Sequence, residues 1–286
     1  MRADVIRIVG TSQRLLSGAV QPRALRTAAV VVVLCLAASG CGADNTAADS
    51  GPAAPKVVKD GSLTVCTALP YEPFEFTKDG KPAGFDIDLA GEVAKKLQLK
   101  PVIVNTDFDK IASGEPLNDG TCDVAVAGMT ITGDRARVLD FSSPYFDAAQ
   151  AMVVKKGSGV KSLADLAGKK IGVQKGTTGE LYVTDNAPAD TKIVTFTDAS
   201  DIDAALKAGH VDAAVYDNTV VGDVVARNSD FAIAGEFNTG EQYGMAVKKN
   251  GSVDLLRTID NLLASLKDDG RYDAIYRKWF GNAPTA

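Results

Sequence analysis

The chain is poor in the residue types that build metal and nucleic-acid sites. Its 286 residues include one histidine and four cysteines. One histidine without closely spaced cysteines offers too few ligands for a zinc site, so we expect neither a metal nor a cofactor. Five of the 31 basic residues lie in the first 40 residues, which leaves 26 basic against 35 acidic residues further on. This acidic balance argues against nucleic acid as a partner, because phosphate binding needs a basic surface.

Long apolar runs are scarce as well. One run stands out, residues 28–38, but it is shorter than the roughly 20 residues that a membrane span requires. Two arginines precede it and small residues follow it, which is the order of a secretory signal. Its end at Cys41 resembles a bacterial lipoprotein box, which implies cleavage before Cys41 and attachment of lipid to it. We therefore predict a lipoprotein signal peptide over residues 1–40. An uncleaved anchor and an ordinary secreted protein are the alternatives.

Residues 41–59 differ from everything that follows. They consist mainly of glycine, alanine, aspartate, serine, proline and lysine, with almost no large apolar residue. Such a segment cannot bury enough apolar surface to fold. We predict a flexible tether between the membrane and a body that faces outward from the cell.

The cysteines form an even pair once the signal is removed. Cys35 leaves with the signal and Cys41 takes the lipid, so Cys66 and Cys122 remain in an oxidising compartment. Cys66 lies in a predicted strand, and Cys122 opens the strand expected beside it. We predict a disulfide between them. Two buried thiols are the alternative, because a poor strand register would hold the Cα atoms beyond the roughly 7 Å that a disulfide tolerates.

One stretch of the chain occurs twice. Residues 117–127 return in similar form as residues 206–216. Each copy has a glycine suited to ending a helix, followed by a strand of small residues rich in valine and alanine. The repeat predicts two similar lobes.

Strand-like and helical segments alternate along the body. The predicted strands cover residues 63–67, 101–105, 123–127, 151–154, 170–173, 192–196, 212–216 and 243–247. Helical periodicity fills several gaps, as in the apolar positions Phe85, Leu89 and Val93. Strands separated by helices predict an α/β fold whose parallel sheets are covered on both faces.

Opposite charges follow the two copies of the repeat. Thr130 and Arg135 come just past the first copy, and Asp217 comes directly past the second. The ends of parallel strands are where open α/β sheets bind ligands. A guanidinium suits a carboxylate, and a carboxylate suits an ammonium, so the pair predicts a site for the backbone of a free amino acid.

Residues 84–97 resemble the signature of the family 3 bacterial extracellular solute-binding proteins, the polar amino-acid-binding proteins of ABC uptake transporters. Further matching pieces lie at residues 71–76, 127–132 with Arg135, 140–142, 174–178 and 276–281, so the resemblance covers nearly all of the body. It implies an α/β periplasmic-binding-protein-like clamp. Each lobe would be a mostly parallel sheet flanked by helices, and the chain would cross between the lobes twice. On this pattern lobe one is 60–147 plus 243–286, and lobe two is 148–242. The resemblance further implies a monomer that serves an ABC permease in the membrane.

The resemblance also implies a set of ligand-binding residues. These are Tyr71, Phe108, Gly128, Thr130, Arg135, Gln174, Thr178 and Asp217. Arg135 would take the ligand's α-carboxylate with help from Thr130 and from the amides of residues 176–178, and Asp217 would receive the α-ammonium. Two aromatic rings would sandwich the side chain, and the glycine would present backbone. The plainer interpretations are a surface arginine, a core position for either ring, a helix cap at residues 177–178 and an N-cap at Asp217.

Side-chain specificity depends on other positions. Ala68 stands where several relatives that bind glutamine or basic amino acids place an acid, which weakens an assignment to lysine or arginine. Gln174, Asp109, Glu75 and Tyr216 are candidates for contact with a polar side chain. We expect a polar amino acid such as glutamine or glutamate.

Two other functions stay open at this point. The same fold resembles that of exported cyclohexadienyl dehydratases, which need a positioned acid or base, and Glu180 is one candidate. The chain is otherwise expected not to be an enzyme. A sensor that reports amino-acid levels to a membrane kinase would carry the same binding residues as a transport protein.

Overall fold

The computed structural model of the protein describes residues 55–282. The predicted signal peptide, the predicted lipidation residue Cys41 and most of the predicted tether lie outside the described residues. Within residues 55–282, no helix combines the length and the apolar character that crossing a membrane requires.

The strands of the described region form two five-stranded sheets and one hairpin. They are β1 (Ser62–Thr67), β2 (Phe76–Lys78), β3 (Lys81–Ala83), β4 (Lys100–Asn105), β5 (Val124–Ala125), β6 (Leu139–Phe141), β7 (Phe146–Lys155), β8 (Lys170–Gln174), β9 (Lys192–Phe196), β10 (Ala213–Asp217), β11 (Phe231–Tyr243) and β12 (Ala246–Lys248).

Helices cover the faces of both sheets. They are α1 (Phe85–Lys96), α2 (Phe108–Ser113), α3 (Glu115–Asn118), α4 (Gly133–Val138), α5 (Thr178–Asn186), α6 (Ala199–Ala208), α7 (Asn218–Arg227), α8 (Val253–Asp268) and α9 (Arg271–Phe280), with a 3₁₀ turn at Leu163–Leu166. Helix α1 buries Phe85, Leu89 and Val93, which is the face that the sequence periodicity predicts.

Each lobe contains one of the large sheets. The strand order is β4-β1-β5-β12-β6 in lobe one and β11-β7-β10-β8-β9 in lobe two. In lobe one, β1 is parallel to β4 and β5, whereas β12 is antiparallel to both of its neighbours. In lobe two, β8 is parallel to β9 and β10, whereas β7 is antiparallel to β10 and β11. The sheets are thus mixed. The strands that enter directly from the other lobe, β7 and β12, run antiparallel to their neighbours.

The chain passes between the sheets twice, along neighbouring paths. Strand β6 of the first sheet ends at Phe141, and β7 of the second sheet begins at Phe146. The return path runs from Tyr243 at the end of β11 to Ala246 at the start of β12. The two paths are paired at both ends, Phe146 with Tyr243 and Phe141 with Ala246. The exact lobe boundaries expected from the sequence stay a prediction.

The repeated unit supplies the central strand of each lobe. Strand β5 is the middle strand of one sheet and β10 is the middle strand of the other. The glycine of each copy, Gly120 or Gly209, has a left-handed backbone, with φ of 80° and 77°. Residues with a Cβ rarely adopt this conformation, which explains why glycine ends the helix before each strand.

A disulfide bond joins Cys66 to Cys122 inside lobe one. Cys66 lies in β1, and Cys122 lies two residues before the neighbouring strand β5. Their Cα atoms are 5.8 Å apart, which is within the usual range for a disulfide. Both residues are buried, so the bond links β1 to the segment that leads into β5 within the core.

Candidate functional site

A cavity lies between the two lobes. Its walls come from segments at strand ends: Ala68 follows β1, Gly128 comes soon after β5, and Asp217 ends β10. All of the ligand-binding residues expected from the sequence line this cavity, namely Tyr71, Phe108, Gly128, Thr130, Arg135, Gln174, Thr178 and Asp217. The fold brings them together, and their contact with a ligand stays a prediction.

Arg135 is the cation of the cavity. It lies on α4, whose N-cap is Thr132, and only 7% of it is exposed. Its Nη1 donates to the Thr130 carbonyl at 2.7 Å, and its Nη2 donates to the Gly176 carbonyl of lobe two at 2.9 Å. The guanidinium also lies 5.2 Å from the centre of the Phe108 ring. Burial lowers the pKa of Arg135 to about 10, so the side chain stays charged at neutral pH.

Asp217 is the acid on the opposite lobe. It is 8% exposed. Its Oδ1 accepts from Gln150 Nε2 at 2.6 Å, and the Tyr243 hydroxyl donates to its Oδ2. Asp217 is the N-cap residue of α7, but its side chain makes no capping hydrogen bond. Burial raises the pKa of Asp217 to about 6, although the hydrogen bond from Tyr243 opposes the rise. The carboxyl group is therefore mainly ionised at pH 7 and faces the cavity.

Tyr71 and Phe108 form aromatic walls, and Gly128 lies against one of them. A Cβ on Gly128 would come within 3.1 Å of the Tyr71 ring, and the residue has φ of 50°. Its amide donates to Asp86 Oδ2 at 2.7 Å. Glycine therefore suits this position, because it leaves room for the Tyr71 ring and because the backbone is left-handed. The Gly128 N–H already has a hydrogen-bond partner in Asp86.

The two threonines at the start of α5 have different roles. Thr177 is the N-cap, and its hydroxyl oxygen accepts from the Glu180 amide at 3.1 Å. Thr178 instead donates its hydroxyl to Glu241 at 2.6 Å. Thr177 is therefore the helix cap, whereas Thr178 lines the cavity and contacts Glu241.

Two further residues of the cleft, Gln150 and Glu241, were missed by reasoning from the sequence. Gln150 is fully buried in β7, and its Nε2 reaches Glu241 Oε1 at 3.0 Å in addition to Asp217. Glu241 lies near the end of β11 and accepts from Thr130 at 2.7 Å. A polar residue inside the otherwise apolar run of residues 148–154 is a signal that marks Gln150. Glu241 sits in a polar stretch that carries no such signal.

Three of the four candidates for contact with a ligand side chain line the cavity, and the fourth does not. Gln174, Glu75 and Tyr216 line the cavity. Asp109 instead pairs with Lys175 of the other lobe at 2.8 Å. Glu75 is fully buried, and neither of its carboxyl oxygens has a hydrogen-bond partner. Burial raises the pKa of Glu75 well above its usual value, so this carboxyl group favours its neutral form.

The charges of the cavity suit a zwitterion. Arg135 is the single cationic residue among the cavity-lining residues that the structure describes, and Asp217 is the acid facing it from the other lobe. A carboxylate placed at the first and an ammonium placed at the second would leave neither of these two charges unpaired. A second negative group on a ligand would find no cation among these lining residues.

Comparisons with known proteins show the family and the fold. The model of the family described as bacterial extracellular solute-binding proteins, family 3, matches residues 63–282. The glutamine-binding protein GlnH of an ABC transporter from Bacillus subtilis (strain 168) is 37% identical over 213 residues, covering 72% of this chain and 75% of its own.

Two solved structures extend the comparison. An ancestral arginine-binding protein bound to arginine is 48% identical, with a TM-score of 0.73, and the match covers 77% of this chain and 98% of that one. The ancestral amino acid-binding protein AncCDT-1, a precursor of cyclohexadienyl dehydratase, is 38% identical with a TM-score of 0.71, covering 77% and 96%. Since the family model spans most of the chain, the protein belongs to the bacterial extracellular solute-binding proteins, family 3.

Proposed function

We propose that the protein captures a polar amino acid between its two lobes and delivers it to an ABC permease in the membrane. The observation that carries this proposal is the presence of Arg135 and Asp217 in one interlobe cavity. The guanidinium takes the α-carboxylate, and the carboxylate takes the α-ammonium. The transport role is supported by relatives such as the glutamine-binding protein of a Bacillus ABC transporter.

Binding is coupled to closure of the cleft. Because Arg135 comes from lobe one and Asp217 from lobe two, a single zwitterion touches both lobes at once. Such contacts form only when the lobes are together, so the ligand favours the closed form. Charge-assisted hydrogen bonds contribute about 1.5–3 kcal/mol each. Several of them support micromolar affinity or better, roughly −8 kcal/mol, after the cost of closure.

The charges of the cavity favour glutamine over glutamate. Arg135 is used by the α-carboxylate, and the cavity-lining residues that the structure describes include no second cation. A glutamate side chain would therefore lose its hydration without gaining a cation. The relatives include both glutamine-binding and arginine-binding proteins, so arginine is the main competing ligand in the test.

The direct test is a thermal-shift panel of the twenty amino acids, followed by calorimetry of those that stabilise the protein. We expect glutamine to bind and glutamate to bind far more weakly. Arg135→Ala should abolish binding, whereas Arg137→Ala is the matched control, since Arg137 is exposed on the same helix. Binding that survives Arg135→Ala unchanged would refute the proposal.

We propose binding rather than catalysis. Glu180, the candidate acid named for a dehydratase, accepts a hydrogen bond from the Gly176 amide at 2.7 Å and is not among the residues that line the cavity. Because one similar structure is that of a precursor of cyclohexadienyl dehydratase, dehydratase activity needs a direct test. Incubation with prephenate or arogenate should yield no product above a buffer control.

The proposal extends to the cell surface and to transport. We propose that residues 1–40 are removed, that Cys41 is lipidated, and that the protein works as a monomer tethered outside the membrane. Expression in a bacterium fed with radiolabelled palmitate should label the wild type but not Cys41→Ser. Genes for a permease and an ATPase beside this one would favour transport, whereas an adjacent membrane kinase would favour sensing.

A further inference from the structure

Glu241 is tied to both lobes through the same oxygen. Its Oε2 accepts from Thr130 Oγ1 of lobe one at 2.7 Å and from Thr178 Oγ1 of lobe two at 2.6 Å. Its Oε1 accepts from Thr239 at 2.7 Å and from Gln150 at 3.0 Å. The half-buried carboxylate therefore has donors from both sides of the cleft.

The threonine hydroxyls have no second proton to give. A hydroxyl group carries one donor hydrogen, whatever number of bonds it accepts. Thr130 and Thr178 each donate theirs to Glu241, and their oxygens lie 3.4 Å apart. Under the proposed function, these two residues lie where the ligand's α-carboxylate is held. The ligand and Glu241 thus require the same two protons.

The charge of Glu241 adds to this conflict. Burial raises the pKa of Glu241, but hydrogen bonds from Thr178 and Thr130 outweigh it and hold the pKa below the usual value. The side chain is therefore an anion at neutral pH. Its charge also acts on Arg135, since it is one of the charges that oppose the effect of burial on the pKa of that guanidinium. Glu241 thus places a carboxylate against the hydroxyls of Thr130 and Thr178.

We propose that Glu241 is an internal carboxylate that ties the lobes together and competes with the ligand's α-carboxylate for the hydroxyls of Thr130 and Thr178. This inference rests on the proposed function. A ligand must release the tie before it can use the hydroxyls. Where the tied form predominates without ligand, its free energy is no higher than that of the open form. Releasing the tie therefore costs at least as much free energy as closing an open cleft that has no tie. The tie therefore weakens ligand binding and helps to set the affinity.

The test is a double-mutant cycle in binding affinity. Glu241→Gln keeps the size of the side chain and removes its charge, and we expect it to lower the Kd of the preferred amino acid roughly tenfold. Thr130→Val should raise the Kd, because it removes a hydroxyl that the ligand uses. In the Thr130→Val background, the fall in Kd caused by Glu241→Gln should be smaller, because one of the two hydroxyls for which Glu241 and the ligand compete is absent.

Controls separate competition from damage to the fold. Glu236→Gln changes an exposed glutamate on the same strand and should leave the Kd unchanged. Glu241→Ala is the second variant, and circular dichroism melting checks that both Glu241 variants fold. An unchanged or higher Kd in folded Glu241→Gln and Glu241→Ala would overturn the proposal.

Small-angle scattering tests the tie without any ligand. Glu241→Gln should increase the radius of gyration relative to the wild type, because the lobes lose a shared anion. An identical radius in the two proteins would overturn the tie. If no amino acid binds the wild type, the proposed function fails, but the scattering comparison still decides whether Glu241 holds the lobes together.

Discussion

The two copies of the repeated unit have the same scaffold and opposite chemistry. Strands β5 and β10 occupy the middle of their sheets, and each follows a helix end with a left-handed glycine. Beyond β5 the chain places Arg135 in the cleft, whereas β10 ends on Asp217. The difference shows that the repeat builds two edges facing one cavity, and that a few residues past each strand determine what the cavity accepts.

The largest expected effect comes from removing either charge. Arg135→Ala and Asp217→Ala should each weaken amino-acid binding at least about 100-fold, since each leaves a charged group of the ligand without a partner in a buried site. Calorimetry measures the loss, and circular dichroism should show that both variants fold. If only one of the two variants lost affinity, the ligand would not be held by charges from both lobes, which would contradict the account.

A second comparison concerns the stability of the lobes. The bond between Cys66 and Cys122 spans 56 residues of lobe one, and no cysteine lies in lobe two. Replacing both cysteines by alanine should lower the free energy of unfolding by about 2–4 kcal/mol, chiefly by freeing the unfolded chain. Urea unfolding followed by circular dichroism measures the change. Equal stability with and without the bond would contradict this prediction.

The acid of lobe two should also make binding sensitive to pH. Since burial raises the pKa of Asp217 to about 6, this carboxyl becomes protonated below that pH and no longer attracts an ammonium. Affinity should be level above pH 7 and fall roughly tenfold for each pH unit below 6. Calorimetry from pH 5 to 8 measures the profile.

A matched variant separates Asp217 from other titrating groups. Asp86, with a pKa raised to about 7 by burial, titrates nearby. Asp217→Asn should bind weakly at every pH and lose the step near pH 6. A step that persists in this variant would assign the pH dependence to Asp86 or to another group.

The smallest effect is expected at the rim of the cleft. Arg227 of lobe two pairs with Glu72 of lobe one at 3.0 Å, and both side chains are about two-fifths exposed. Exposed ion pairs contribute about 0–1 kcal/mol and are screened by salt. Arg227→Gln should therefore change the Kd by less than about fivefold, and less still at 0.5 M salt. A larger loss would make the rim part of the recognition site.

Much of this arrangement can be predicted from the sequence because the signals are local. The glycines of the repeat require a particular backbone, and the spacing of apolar residues marks the buried face of α1. The residues that follow β5 and β10 could be assigned to the cleft because parallel strands point their carboxyl ends to one side of a sheet. These features need no knowledge of distant contacts.

Other features depend on contacts far apart in the chain. The predicted strand over residues 243–247 is in fact two: β11 ends at Tyr243 and β12 begins at Ala246. Hydrophobicity alone does not reveal that the chain changes lobes there. Glu241 escaped notice for the same reason, since its partners Thr130 and Thr178 are 111 and 63 residues away in the chain.

The most direct test is a crystal structure of the protein with the amino acid that the binding panel selects. The account predicts that the ligand's α-carboxylate lies within about 3 Å of the Arg135 guanidinium and its α-ammonium within about 3 Å of the Asp217 carboxylate. A ligand bound elsewhere, or bound in the cavity with its backbone turned away from either residue, would contradict it.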